Sequence, residues 1–351
     1  MAVSRFGGSG YPATLNHRSH MSARKSANSR FLKVLGGGAI ALMVGMACSI
    51  HALAQVSSEF HQTFAVTLQE PVTLDVDLAR GELQILYNRD GQVSIAAAAQ
   101  TSAVAKSNEN SFRPPIIEQN GNHFTIRQSS DPTLAETGGN ITYRIDVPYR
   151  TAVTSRVKIG RQDVSGIMGP VKAASERGDI HASYISGSME AQIETGNLDL
   201  QVIGGHADAR TRRGNISCER AAQGVTAETG DGDITLMVVG PSTATVKKGT
   251  GRIEVGGARG SFVASTDAGD LHIRAIPHDD WQITSKAGNI RLELPPAAKF
   301  ELGAETETGE LQVDRDDLGK PDAGVRRLHQ TVNGGGKRID VHTGSGRIAI
   351  R

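Results

Sequence analysis

A glycine that recurs about every 18 residues in the second half of the chain constrains the fold more than any other feature. Each copy is followed by a polar residue and then by Ile or Leu. Eight copies begin at Gly178, Gly196, Gly214, Gly232, Gly251, Gly269, Gly288 and Gly309, with spacings of 18, 18, 18, 19, 18, 19 and 21 residues. Two further copies begin at Gly81 and Gly346. Self-similarity at a fixed period of this length is typical of a repeat architecture.

Each repeat predicts at least two short strands. Apolar residues lie two and four positions after the glycine, as at Leu198 and Leu200, and an alternation with a period of two marks a strand with one buried face. A second, weaker alternation begins nine residues after the first, as at Ala207 and Ala209. The sequence leaves open whether a coil closes with two strands or with three.

Strands this short bury too little apolar surface to be stable alone. Stacking successive coils pairs each backbone with the coils above and below, and it joins the Ile and Leu side chains into one internal ladder. We therefore predict an all-β fold, a right-handed β-solenoid (β-helix) of about 18-residue coils that rise about 4.8 Å each. Aromatic residues make up only 4% of the chain against 41 glycines, which fits many tight turns.

The first part of the chain lacks the fixed period. Residues 55–150 contain alternating apolar stretches and predict an irregular N-terminal β cap on the solenoid repeats, which take up residues 151–351. Within those repeats, residues 314–338 are rich in Asp and Gly and predict a loop inserted in place of a regular coil. The final strand, Arg347–Arg351, is expected to leave an open sheet edge, which leaves self-association open.

Residues 1–54 predict an N-terminal extension followed by a signal peptide. Basic residues precede the apolar run Val34–Ile50, and a small-residue motif that ends at Ala54 precedes Gln55, where we expect cleavage. The apolar run is shorter than the about 20 residues that a spanning helix needs, so no membrane span is expected in the mature chain. Met21 is an alternative start. The expected location is extracytoplasmic, with periplasm and cell surface both open.

The mature chain carries more acidic than basic residues. Removing residues 1–54 takes away six of the 38 basic residues and none of the 37 acidic ones, which leaves 32 against 37. Nucleic acids are bound mainly through lysine and arginine contacts to phosphates, so no nucleic-acid partner is expected. Cys218 is then the only cysteine, which excludes an internal disulfide.

Several sequence features together resemble one known family. They are the segment Ile141–Pro148, the run of Gly-Asp/Asn-Ile coils and the closing segment Asn333–Ile350 with its three consecutive glycines. Over about residues 70–350 the chain resembles the bacterial β-strand-repeat family of putative adhesins, whose function is unknown. The resemblance implies a β-solenoid on the extracytoplasmic side of a bacterial envelope, and it implies no reaction.

The polar residues after the repeat glycines are candidates for a polysaccharide lyase or glycosidase site, in which two carboxylates converge on a sugar. They are Asp179, Asn197, Asn215, Asp233, Arg252, Asp270, Asn289 and Glu310. From 179 to 289 no two acids fall on adjacent coils, and Arg252 separates Asp233 from Asp270. This order avoids repulsion between stacked carboxylates. We therefore expect no catalytic residues and predict that the protein is not an enzyme.

The sequence also offers weak candidates for metal sites. Thr229–Ile234 is similar to calcium-binding β-roll repeats, but Asp233 directly precedes Ile234, whereas those repeats place a residue between, so turn formation is favoured. His181 and His272 share a coil position, yet five coils, about 24 Å, separate them. The mature chain contains His61, His123, His181, His206, His272, His278, His329 and His342. We expect solvated histidines and no metal or cofactor.

Two remaining residues are expected to be structural. Cys218 occupies the inward position of Leu200 and Leu236, which predicts a buried thiol. Trp281, the only tryptophan, also falls on an inward position, so it offers no platform for sugar stacking. The sequence therefore favours a non-enzymatic envelope or cell-surface solenoid that contacts an unknown envelope or surface protein. The alternatives are a carbohydrate-active or glycan-binding β-helix, and a structural element of an envelope stress or secretion system.

Overall fold

The computed structural model describes residues 56–67, 69–101, 113–128, 140–319, 322 and 324–351. The predicted signal peptide and its cleavage point lie outside the described residues. Over the described residues the chain forms β-strands and one short 3-10 helix, Asp316–Leu318. No helix in this part has the length and hydropathy that crossing a membrane requires.

The strands are short and follow one another closely. In chain order they are β1 (Val56–Ala65), β2 (Val72–Arg80), β3 (Glu82–Asn88), β4 (Gln92–Thr101), β5 (Ile116–Asn120), β6 (His123–Arg127), β7 (Asn140–Pro148), β8 (Thr151–Ile159), β9 (Gln162–Ser165), β10 (Val171–Arg177), β11 (Ile180–Ile185), β12 (Met189–Thr195), β13 (Leu198–Ile203), β14 (Ala207–Arg213), β15 (Ile216–Ala221), β16 (Val225–Thr229), β17 (Ile234–Met237), β18 (Ser242–Thr250), β19 (Ile253–Gly256), β20 (Phe262–Ala268), β21 (Leu271–Arg274), β22 (Trp281–Ala287), β23 (Ile290–Glu293), β24 (Phe300–Thr306), β25 (Leu311–Val313), β26 (Arg327–Val332), β27 (Lys337–Ser345) and β28 (Ile348–Ile350).

In the described part of the chain these strands form two sheets of 14 strands. Sheet 1 has the order β1-β4-β7-β3-β9-β11-β13-β15-β17-β19-β21-β23-β28-β25, and sheet 2 the order β26-β24-β27-β22-β20-β18-β16-β14-β12-β10-β8-β2-β6-β5. Each repeat contributes one strand to each sheet, so a coil holds two strands rather than three. The all-β solenoid is confirmed, and its right-handed sense stays a prediction.

The sheets face each other across one apolar core. Leu198 pairs with Ile216 and Ile216 with Ile234 in parallel register, so equivalent residues of successive coils stack directly. Each of these side chains is at most 1% exposed. Burying such a side chain contributes about 1.5–3 kcal/mol, and the ladder repeats this at every coil. The predicted continuous column of aliphatic side chains is confirmed.

The repeat glycines form a tight corner where the chain passes from sheet 2 to sheet 1. Gly214 has φ +141°, a backbone conformation that side-chain-bearing residues rarely adopt. A Cβ atom at Gly214 would also lie 2.0 Å from the carbonyl oxygen of Gly196 on the preceding coil. Both facts require glycine here, which explains why the repeat is anchored on this residue.

Asp and Asn after the glycines act as acceptors for the next coil. The Asn197 N–H donates to Oδ1 of Asp179 (2.7 Å), the Asn215 N–H to Oδ1 of Asn197 (3.0 Å), and the Asp233 N–H to Oδ1 of Asn215 (2.9 Å). The Arg252 N–H donates to Oδ1 of Asp233 (2.7 Å). A carboxylate and an amide offer the same acceptor oxygen, so the two residue types are interchangeable in this ladder.

Hydroxyl side chains support the same corner from inside. The Oγ1 atoms of Thr229 and Thr343 donate to the carbonyl oxygens of Gly214 and Gly288, both at 3.0 Å. In each case the hydroxyl residue precedes its own repeat glycine by three positions. The sequence therefore contained this second ladder as a Ser/Thr-x-x-Gly pattern.

The strands of the predicted cap lie at one end of both sheets. Strand β2 pairs in parallel with β8, with Leu74 opposite Val153, and β3 pairs with β9. Strand β4 runs antiparallel to β1 and β7. Between this end and the first predicted repeat lies an additional coil, whose inward position is Gln162 rather than Ile or Leu. Buried Gln162 accepts a hydrogen bond from the Ser155 hydroxyl (2.6 Å) and donates one to the Ala174 carbonyl (2.7 Å).

The last strands return into the stack, which corrects one prediction. Strand β27 lies between β22 and β24, and β28 lies between β23 and β25. The prediction that Arg347–Arg351 leaves an open edge is wrong, because Ile348 pairs with both Ile290 and Leu311. The predicted loop at residues 314–338 contains the 3-10 helix and β26, which pairs antiparallel with β24. Strands β24 and β25 therefore do not pair with β22 and β23 of the preceding coil. The later strands β27 and β28 lie between them and pair with both.

The neighbouring residues Asp233 and Ile234 test which side chains face the solvent and which face the core. We expect Ile234→Asp to prevent folding, because it places an unpaired carboxylate in the dry core. Asp233→Asn should change the free energy of unfolding by less than about 0.5 kcal/mol, since the amide oxygen accepts the same bond, whereas Asp233→Leu should lose about 1 kcal/mol. Urea unfolding measures all three. Equal tolerance of Ile234→Asp and Asp233→Asn would contradict the assignment.

Candidate functional site: an apolar corner

The polar candidates from the sequence are used within the fold rather than gathered into a site. The Oδ1 atoms of Asp179, Asp233 and Asp270 accept backbone N–H bonds from the neighbouring coils. Within the described ranges, no group of three or more His, Cys, Asp or Glu side chains could hold a metal ion. None of the eight histidines is buried. His181 and His272 pair with different acids, Asp199 at 3.0 Å and Glu293 at 3.1 Å.

Cys218 and Trp281 lie inside the core. Cys218 is 1% exposed, and burial raises the pKa of its thiol to about 12, which disfavours the reactive thiolate. The Trp281 ring packs edge-on against Phe262, and its Nε1–H donates to the Gly260 carbonyl at 3.1 Å. Neither side chain is available to a ligand.

A different feature emerges where the chain passes from sheet 1 to sheet 2. The turns at residues 166–170, 184–188, 202–206, 220–224 and 238–241, with Tyr87 and Tyr149 at their N-terminal end, form a surface that we call the apolar corner. Tyr184, Val202, Arg220 and Val238 occupy the same position on four successive coils, and all four have left-handed φ angles between +52° and +61°. Glycine takes this position at both ends of the series, at Gly166 and Gly257, with φ +76° and +71°.

The left-handed residue has a local structural role. It interrupts the alternation of the strand, so that the residue that follows it also points inward. Ile185 therefore pairs with Ile203, and Ile203 with Ala221, each at most 1% exposed. For a residue other than glycine this backbone costs about 1–2 kcal/mol, and a β-branched residue is strongly disfavoured there. Glycine would close the same turn without that cost.

Exposed apolar side chains concentrate along this corner. The described residues expose eight large apolar side chains, of which six lie on the apolar corner or on the turn that continues it: Tyr87, Tyr149, Met168, Tyr184, Val238 and Ile276. Tyr184 is the most exposed, at 64%. The rings of Tyr87 and Tyr149 meet edge to face, with centroids 6.0 Å apart. Contiguous exposed apolar residues of this kind mark interaction sites more often than scattered ones do.

The two corners of the solenoid differ in charge. The turns at 166–170, 184–188 and 202–206 carry no acidic residue and, apart from His206, no basic one. The opposite corner carries the charged segments 176–179, 194–197, 212–215 and 230–233, with ion pairs such as Arg212–Glu194 at 2.9 Å. The two remaining turns carry one charged residue, Arg220, which pairs with Glu219 at 3.1 Å. The solenoid therefore has one edge that is rich in charges and one edge that is mostly apolar.

Sequence reasoning missed the apolar corner because it looked only for tryptophan. One signal was present: on four successive coils an apolar residue lies five positions after the repeat Ile or Leu, at Ile185, Ile203, Ala221 and Val239. A strict period-two strand would place these residues outside. Their recurrence requires an extra residue in each strand, and the residue just before each of them is the one that faces the solvent.

One family model matches most of the chain. The family model described as Toastrack DUF4097 matches residues 74–351. The chain belongs to this family. No curated protein matches the chain significantly.

Several solved structures resemble it at low identity. A putative cell adhesion protein from Clostridium sporogenes is 10% identical, with a TM-score of 0.22, and the match covers 84% of this chain and 99% of that one. A putative adhesin from Bacteroides fragilis is 11% identical, with a TM-score of 0.34 and coverage of 84% and 97%. A putative lipid binding protein from Parabacteroides distasonis is 10% identical, with a TM-score of 0.30 and coverage of 83% and 96%.

Neighbouring valines at the apolar corner provide a test of its geometry. Val238→Gly should leave the free energy of unfolding unchanged within about 1 kcal/mol or raise it, because relief of the left-handed strain offsets the flexibility of glycine. Val239→Gly should lower it by about 2–4 kcal/mol, because Val239 is fully buried. Thermal and urea unfolding compare the two variants. A larger loss for Val238→Gly than for Val239→Gly would show that the left-handed corner is wrongly placed.

Proposed function

We propose that this member of the Toastrack DUF4097 family is an exported, non-enzymatic contact protein of the bacterial envelope or cell surface, and that it binds its partner along the apolar corner. The single observation that carries the proposal is the row of solvent-facing Tyr, Met and Val side chains on this corner. Tyrosine and methionine are enriched at binding surfaces, and Tyr is among the residues that most often dominate the binding energy.

The backbone strain supports a binding role. Tyr184, Val202 and Val238 keep side chains at positions where glycine would relieve about 1–2 kcal/mol each. Residues held in such conformations cluster at functional sites. The cost is understandable if these side chains are needed for contact with a partner.

The rigidity of the corner also supports it. Successive turns are joined by backbone hydrogen bonds, such as Ser186 N–H to the Ile167 carbonyl and Gly204 N–H to the Ile185 carbonyl, both at 2.8 Å. A surface whose main chain is already fixed loses little conformational entropy on binding. The rings are thus presented in a preorganised row.

The non-enzymatic part of the proposal rests on how the acidic side chains are used. Asp179, Asp233 and Asp270 accept backbone N–H groups of neighbouring coils, and Asn or Arg separates them along the stack. Export is supported by the signal-like sequence of residues 1–54. The partner is an envelope or surface component, in the periplasm or outside the cell.

Substitutions at two tyrosines test the proposal. In the mature protein, Tyr149→Ser combined with Tyr184→Asn should reduce sedimentation with isolated envelopes of the source bacterium at least tenfold, because both rings are lost. Asparagine is chosen at 184 since it tolerates the left-handed backbone.

The matched control lies on the charged edge. Glu194→Ser combined with Arg212→Ser removes an exposed ion pair and should leave sedimentation unchanged. Circular dichroism confirms that both variants fold. Envelope binding that survives loss of the tyrosines, or that depends on Glu194 and Arg212 instead, would contradict the proposal.

A further inference from the structure

We propose that the partner of the apolar corner is a neutral polysaccharide that lies along the solenoid axis, an inference that rests on the proposed function and specifies its ligand. The row of rings, the residues between them and the shape of the edge each point to this ligand class. The sequence did not predict these features, because its only tryptophan, Trp281, is buried.

The spacing of the rings matches a sugar chain. Tyr87 and Tyr184 take equivalent places on coils that are two steps apart, with Gly166 between them. Two coil steps are about 10 Å, which is close to the length of two pyranose units in an extended β-linked glycan. The two rings would stack against the apolar faces of alternate sugars, and Arg220 takes the equivalent place two coils beyond Tyr184.

The coil between the two rings carries no side chain at this position. A Cβ atom at Gly166 would lie 2.9 Å from Cβ of Tyr87, so the close packing of Tyr87 on this turn requires glycine. The exposed side chains of Tyr87 and Tyr184 therefore have no third side chain between them in the row.

The uncharged polar groups beside the rings are hydroxyls and amides. Ser186 and Ser188 are exposed on the turn that follows Tyr184, and Gln223 is exposed two coils further. Such groups donate to and accept from sugar hydroxyls. The turns at 166–170, 184–188 and 202–206 carry no carboxylate. Arg220, the one charged residue at the left-handed position, pairs with Glu219 at 3.1 Å, so the row is matched to an uncharged polymer.

The shape of the corner favours a linear ligand over a globular protein. From Tyr87 to Val238 the row spans five coil steps, about 24 Å, but it is only one turn wide. A stable protein interface buries about 1,200–2,000 Å² in total and has a central cluster surrounded by a rim. A narrow row of this length instead accommodates about five sugar units.

Isothermal titration calorimetry with defined oligosaccharides tests this inference. The probes are cello-, chito- and xylo-oligosaccharides of two to eight units, with oligogalacturonate as the acidic comparison. We expect at least one neutral series to bind, with affinity rising up to about five units, the length that covers a row of five coil steps of about 4.8 Å each, and then levelling off. Oligogalacturonate should bind at least tenfold more weakly.

Three variants locate the binding. Tyr184→Asn and Tyr87→Ala should each weaken binding of the best oligosaccharide at least fivefold, whereas Tyr184→Phe should stay within twofold because it keeps the ring. The Glu194→Ser, Arg212→Ser double variant should bind as the wild type. Melting temperatures identify any variant that fails to fold, and Tyr184→Phe then carries the comparison with Tyr184→Asn.

The outcomes separate this inference from the proposed function. If no neutral oligosaccharide binds while sedimentation with envelopes still requires the tyrosines, the partner is a protein: the polysaccharide inference is then overturned and the proposed function stands. Preferential binding of oligogalacturonate also overturns it. If neither glycan binding nor sedimentation depends on the tyrosines, both proposals fail.

Discussion

The structure depends on parallel main-chain hydrogen bonding between coils in a nearly constant register of 18 or 19 residues. Because the register is kept, each side chain meets its equivalent on the next coil, and any residue type that suits a position can repeat as a ladder. Ile and Leu fill the core, glycine forms the tight corner, Asp and Asn accept the N–H groups of the next coil, and Ser or Thr donates to the glycine carbonyl. A slip of one residue would turn the core side chains outward.

The regular part of the fold could be predicted because its constraints act on residue identity. A repeat glycine cannot be replaced where a Cβ would meet a carbonyl oxygen, so the spacing is visible in the sequence. The coil at Gln162 was missed because a buried hydrogen-bonded pair with Ser155 replaces the aliphatic residue. The return of β28 into the stack was missed because Ile348 satisfies the same local pattern in any coil position. The left-handed φ of Val202 was missed because valine gives no sign of it.

The two edges of the solenoid place the stabilising contacts and the proposed binding surface in different parts of one repeat. At the charged corner the Asp and Asn oxygens and the Ser and Thr hydroxyls of the repeat form hydrogen bonds to neighbouring coils. The ion pairs there are exposed to solvent, so each contributes little to the free energy of unfolding. At the apolar corner the backbone is equally well bonded, but the side chains of Tyr184 and Val238 are exposed at a conformational cost. The proposed contact function requires a rigid frame and one surface that differs from the rest, and this repeat has both.

The spacing of coils can be measured directly by double electron–electron resonance between nitroxide labels on outward positions. The substitutions His181→Cys and Glu254→Cys place labels four coils apart. The substitutions Asp163→Cys and Arg291→Cys place them seven coils apart. The native Cys218 is buried, and its raised pKa protects it from labelling. A stacked solenoid predicts backbone separations of about 19 Å and about 34 Å, in proportion to the number of coils. Distances that do not grow in this proportion would contradict the stacked coils and the row of side chains at the apolar corner.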